Sequence, residues 1–164
     1  MPLPSTLTPI ATTTLTTASA SVTFSSIPQG YTDLVCIANA GITSGIEDIA
    51  LTFNGDTGTN YSRTFMYGDG TSAVSGRSSS VARIALGSFG SGTINGNNIF
   101  SVMNYANTTT NKTVLSRGNN TGNHSIAYVG LWRNTAAITS MLLSTTGSTW
   151  MSGSSFTLYG IKAA

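Results

Sequence analysis

The side chains able to do chemistry are few and scattered. His124 is the only histidine, Cys36 the only cysteine, and the acids are Asp33, Glu47, Asp48, Asp56 and Asp69. A nucleophilic triad needs a base within reach of its nucleophile and a third group to orient that base. No motif supplies such partners to His124. Metal sites need several Cys, His or carboxylate ligands that converge. Glu47-Asp48 is the one adjacent acidic pair, and it reads as backbone solvated at a turn, because a calcium site needs more ligands. A glycosidase needs two carboxylates facing across a cleft, and nothing selects such a pair here. Gly68-Asp69-Gly70 and Gly90-Ser91-Gly92 open no helix, so they read as turns rather than phosphate cradles. Cys36, within Leu34-Val35-Cys36-Ile37-Ala38, reads as a small buried hydrophobe. The expectation is a protein with no catalytic site, no cofactor and no metal.

Two sets of residues remain as candidates for recognition. Asp56, Asn60 and Tyr61 fall in one polar loop, and Asn120 and His124 in another spanning 119–124. Aromatic rings beside amides and acids have the chemistry to stack on a sugar and hydrogen-bond its hydroxyls, and they are also common at protein interfaces. The second set is Leu15, Trp132, Arg133, Met141, Leu143 and Tyr159. Read as one strand, 137–144 puts Ile138, Ser140 and Leu142 on one face and Thr139, Met141 and Leu143 on the other. Apolar residues on both faces predict a strand covered twice, by its own core and by a neighbouring subunit.

The elements that must position these residues alternate with period two between turn residues, the pattern of half-buried strands. Ala20 to Phe24, Asp33 to Ala40, Ile49 to Phe53, Ser62 to Tyr67, Val81 to Leu86 and Asn98 to Asn104 read as strands. So do Thr113 to Ser116, Ser125 to Leu131, Ala137 to Ser144 and Ser154 to Ile161. Asn54-Gly55, Asp69-Gly70 and Asn95-Gly96 supply the positive φ of tight turns. The one helical candidate is a single turn over 43–48, with Ser44 as its cap. The expected fold is all-β: a jelly-roll-like antiparallel β-sandwich over residues 20–164, preceded by an extended N-terminal arm over residues 1–19. Pro2, Pro4, Pro9 and the run Thr12 to Thr17 mark the arm, which we expect to be pinned on its own sheet or on a neighbouring copy.

Composition narrows the partners. Of the 164 residues only 7% are charged, against about a quarter in an ordinary soluble domain. Copies of this chain therefore repel one another weakly. The net charge of +2 comes from scattered cations, Arg63, Arg77, Arg83, Arg117 and Arg133 among them. Nucleic-acid binding needs clustered cations, so it is not expected. Met1 to Ser5 has neither the basic nor the apolar region of a signal peptide. No apolar run approaches the ~20 residues of a membrane helix, so no membrane partner is expected.

Three stretches are more distinctive than generic sheet: Phe24-Ser25-Ser26-Ile27-Pro28-Gln29-Gly30-Tyr31, Phe53 to Ser62, and Gly130-Leu131-Trp132-Arg133-Asn134-Thr135-Ala136-Ala137 onward to the closing Gly153 to Ile161. Across residues 20–161 the chain resembles a family of small virion structural proteins of tailed bacteriophages, including marine and cyanobacterial phages. The resemblance implies a β-sandwich carried on the virion, made in the host cytoplasm. The resemblance leaves head, tail and fibre open; with the low charge, the two-faced late strand and the pinned arm, the function expected is a capsid decoration protein, a homo-oligomer with a trimer favoured, resting on the major capsid protein or other virion proteins. The alternative is a tail-fibre or receptor-binding module that recognises host surface glycan through Asp56, Asn60, Tyr61, Asn120 and His124.

Overall fold

The computed structural model describes residues 6–92, 94, 96–119 and 124–162, and over these it forms two antiparallel sheets packed together. The strands are β1 (Leu7–Thr14), β2 (Ser21–Phe24), β3 (Asp33–Ala40), β4 (Ile46–Phe53), β5 (Tyr61–Gly68) and β6 (Ala73–Val81). They continue with β7 (Ile84–Gly90), β8 (Gly96–Met103), β9 (Lys112–Asn119), β10 (Ser125–Trp132), β11 (Met141–Thr145) and β12 (Ser155–Ile161). The large sheet runs β1-β12-β3-β8-β9-β10-β5-β6, and the small one β2-β11-β4-β7. This is the antiparallel β-sandwich that the alternation predicts. It uses twelve strands among the described residues, where a jelly roll has eight.

The core lies between the sheets and is filled by every second residue. Leu34, Cys36 and Ala38 of β3, Phe100 and Val102 of β8, and Phe156 and Leu158 of β12 all point inward and are buried. Trp150 meets Phe89 and Phe156 edge-on, at 5.7 and 5.1 Å between ring centroids. Removing each such side chain from water contributes about 1.5–3 kcal/mol. Glycines within the strands make room for large neighbours. A Cβ on Gly96 would lie 2.0 Å from the Phe89 ring, and one on Gly160 would lie 2.3 Å from Tyr31. One buried polar group ties the sheets together. Asn98 Nδ2 donates to the Leu86 carbonyl at 2.7 Å, and Ser116 Oγ donates to Asn98 Oδ1 at 3.0 Å.

The arm resolves into its own sheet's edge: β1 pairs with β12, with a register shift between Pro9 and Ala11. A proline and an irregular register on an edge strand discourage further pairing. Several boundaries differ from the sequence reading. The expected helical turn over 43–48 does not form. Gly45 takes φ 71°, Thr43 Oγ1 hydrogen-bonds Ser148 and Thr149, and the chain enters β4 at Ile46. The run Val81 to Leu86 is broken between β6 and β7. β6 itself, rich in serine, carries too little apolar alternation to have been read as a strand.

The stretch 137–144 is corrected most. Pairing begins only at Met141, and the preceding residues are held by Asn54 instead, whose Oδ1 accepts from the backbone of Thr139 and Ser140. The strict alternation is therefore lost before β11. Ile138, Met141 and Leu143 all reach the core, and Leu142 is left outside.

Candidate functional site: the outer face of the large sheet

An antiparallel sheet with one face on the core ordinarily turns polar residues to water on the other. The outer face of the large sheet carries such residues, Ser101, Thr113, Thr64 and Arg77 among them, but sets exposed apolar side chains between them. Ile37 of β3 lies opposite Ile99 of β8, Leu115 of β9 opposite Val129 of β10, and Met66 of β5 opposite Ala127 of β10. Met103 extends the same face at the end of β8. Met66, Val129, Leu115, Met103 and Ile37 are between 40 and 64% exposed. β-branched and long apolar side chains directly opposite one another stabilise the pairing of their strands, yet here they also leave apolar side chains in water, in groups divided between β8 and β9, where Ile99 faces Arg117 and Ser101 faces Leu115. Arg117, opposite Ile99, and Arg77, opposite Thr64, put two charges on the same face.

Two hollows lie in this region. One of about 510 Å³ is lined by Ile37, Ile99, Arg117 and Asn119, and one of about 460 Å³ by Met66, Ala127 and Ser75. They meet at Ser125 and Ile126. Exposed apolar residues scattered singly need no explanation, but cross-strand pairs of them grouped on one face form a surface that a contact can cover.

The residues expected at an interface divide. Trp132, Met141 and Leu143 are at most 1% exposed and belong to the core of this chain. A subunit neighbour cannot touch them, because their own sheets already cover them. Leu15 is half-buried, packs on the same core, and exchanges backbone hydrogen bonds with Ser154 and Gly153. Arg133 is exposed but committed, its Nη2 donating to the Thr59 carbonyl at 2.7 Å. Tyr159 alone sits on the outer face, half-buried and opposite Val35. Alternation within β3, β8, β9 and β10 was the signal that could have found Ile37, Ile99, Leu115 and Val129.

The residues expected to touch glycan also separate. Asp56, Asn60 and Tyr61 do converge, but on one another. The Asp56 carboxylate accepts from Trp132 Nε1 at 2.7 Å, from Asn60 Nδ2 at 3.0 Å and from the Gly58 backbone at 2.9 Å. The indole bond above all, then Asn60, holds the carboxyl below its ordinary range. Tyr61 is fully buried; its hydroxyl donates to the Asp56 carbonyl and accepts from Phe53 N. Burial pushes its pKa up to about 12. These groups spend their hydrogen-bonding capacity closing the loop. His124 stands at the other end of β10, its ring 5.0 Å from that of Tyr67. The eight residues of β10 separate it from Trp132 by about 26 Å. Asn120 lies outside the described residues.

Burial alone raises the Cys36 thiol far above its ordinary value, which fits a packing role. Among the described residues no three His, Cys, Asp or Glu side chains gather as a metal site would require. The chain matches no protein-family model, no curated protein and no solved structure.

Proposed function

We propose that this chain is a non-enzymatic structural protein of a tailed-bacteriophage virion, and concretely a capsid decoration protein. It would lie with the outer face of its large sheet against protein neighbours. The observation that carries the reading is that face, where Ile37, Ile99, Leu115, Val129 and Met66 stand exposed or half-buried among small polar residues and two arginines, Arg117 and Arg77. Covering such a surface gains about 25 cal/mol for each Å² of apolar area removed from water. The low overall charge leaves little repulsion to oppose close packing of many copies. The resemblance of residues 20–161 to phage virion proteins supplies the setting, and the partners that go with it are further copies, as a trimer, and the major capsid protein. The receptor-binding alternative is weakened at its first loop, since Asp56, Asn60 and Tyr61 bond to one another or to their own chain.

Imaging of intact particles tests the reading. A decoration protein appears in many copies on the head lattice. Absence from the head, or a handful of copies at the tail, would sink it.

A further inference from the structure

The inner face of the large sheet holds a second unusual surface, on the side of β5 and β6 that lies beyond the edge of the small sheet. β7 ends the small sheet, while β5 and β6 continue the large one past β10. Arg63, Phe65 and Tyr67 of β5 point to this inner side, and their partners on β6 are the short Ser78, Gly76 and Val74. Long side chains beside short ones leave a step. The Phe65 ring folds over Gly76, where a Cβ would come within 2.6 Å of its tip.

Rings follow one another along the step. His124 and Tyr67 are 5.0 Å apart, Tyr67 and Phe65 6.3 Å, and Phe65 and Tyr128 5.4 Å. The Phe65 and Tyr67 rings are nearly parallel, their planes differing by 11°, and both are half-buried outside the main core, whereas Tyr128 behind them is buried. The row ends on charge. Arg63 sits 5.9 Å from the Tyr128 ring centre, and its Nη1 donates to Asp48 Oδ2 at 3.3 Å. These two side chains remain 25 and 31% exposed, although Arg63 Nε itself is buried and has no hydrogen-bond partner among the described residues. A hollow of about 300 Å³ opens there, lined by Asp48, Arg63, Arg83 and Thr146.

We propose that the Tyr67–Phe65 pair, backed by the buried Tyr128 and with Arg63 and Asp48 at its end, is a binding ledge for a neutral saccharide chain. A sugar ring has an apolar face that stacks on an aromatic plane and a rim of hydroxyls that needs directional donors and acceptors. The ledge offers both side by side: two partly exposed aromatic rings, then a guanidinium and a carboxylate. A protein neighbour is better served by the aliphatic knobs of the opposite face. Arg63 and Arg83 are balanced by Asp48 and the adjacent Glu47, so nothing here selects an anionic chain. The ledge deepens the receptor-binding alternative but does not rest on the decoration reading, because it occupies the other face of β5.

Nuclear magnetic resonance titration of the full chain with maltohexaose, cellohexaose and laminarihexaose, each at millimolar concentration, tests it. At least one sugar should produce saturable shifts centred on Phe65, Tyr67 and Val74. Phe65→Ala should weaken that binding by about tenfold or more, and Thr64→Ala, on the same strand but the opposite face, should not change it. Tyr67→Ala and Asp48→Asn should weaken binding as well, and they serve if Phe65→Ala fails to fold. Absence of shifts with all three sugars, or shifts confined to the outer face, overturns the ledge and leaves the particle-imaging result untouched.

Discussion

Trp132 and Asp56, 76 residues apart in the chain, are joined by a 2.7 Å hydrogen bond from the indole Nε1 to the carboxylate. That bond connects the end of β10 to the loop between β4 and β5. Trp132 also packs against Phe53 and Tyr61, with ring centroids at 5.4 and 6.3 Å, so the loop is anchored by the core itself. What looks in sequence like a polar recognition loop is a structural latch.

Asp56→Ala should therefore destabilise the fold. It leaves the indole N–H of a buried tryptophan without its partner, a loss of about 1–3 kcal/mol. Asn60→Ala removes a more exposed contact and should cost less. Urea denaturation of the two variants checks the order, and equal costs would contradict the latch.

Acid should loosen two turns. The backbone amides of Ser72 and Thr71 hold the Asp69 carboxyl down to about 2, and Asp56 is lowered as well. A carboxyl whose folded pKa is depressed contributes stability that is present above its unfolded value of about 4 and is lost as pH falls through the folded one. Carboxyl resonances followed by magnetic resonance should place the Asp69 midpoint near 2. A midpoint near 4 would mean that these hydrogen bonds do not persist in solution.

Glycine positions should differ sharply in tolerance. Gly96→Ala drives a methyl into the Phe89 ring and should cost about 1–3 kcal/mol. Nothing lies within 4 Å of a Cβ on Gly30, so Gly30→Ala should change stability by about 0.5 kcal/mol or less. Thermal melts of the pair decide the matter.

Cys36 should be silent to thiol reagents in the native protein and react only on unfolding. It is fully buried and its thiol is held protonated by desolvation. Rapid labelling under native conditions would show that β3 opens.

Most of the sandwich was legible because its strands follow the period-two rule in apolar residues. Asp33 to Ala40 forms β3 without a shift at either end, since a central strand is marked on both faces. β6 was invisible because its surroundings, not its serines, make it a strand: it is held by pairing with β5 alone. The residues expected to form an interface were displaced for a related reason. Alternation gives the face of a residue only where the chain is paired, and 133–140 is not. Residues 138, 141 and 143 consequently gather on one side. Tertiary hydrogen bonds such as Trp132 to Asp56 have no local signature at all, which is why a buried latch resembled a ligand site. The apolar outer face was written in the sequence, but in strands other than the last ones.

The central claim is that this outer face is covered when the protein is in place, and oxidation of methionine reads it directly. Met66 and Met103 stand on that face, 64 and 44% exposed, while Met141 is buried in the core as an internal standard. In the isolated chain the first two should oxidise readily and Met141 should not. In the assembled particle Met66 and Met103 should become as protected as Met141. Equal oxidation of Met66 and Met103 in the isolated and assembled states would contradict the account.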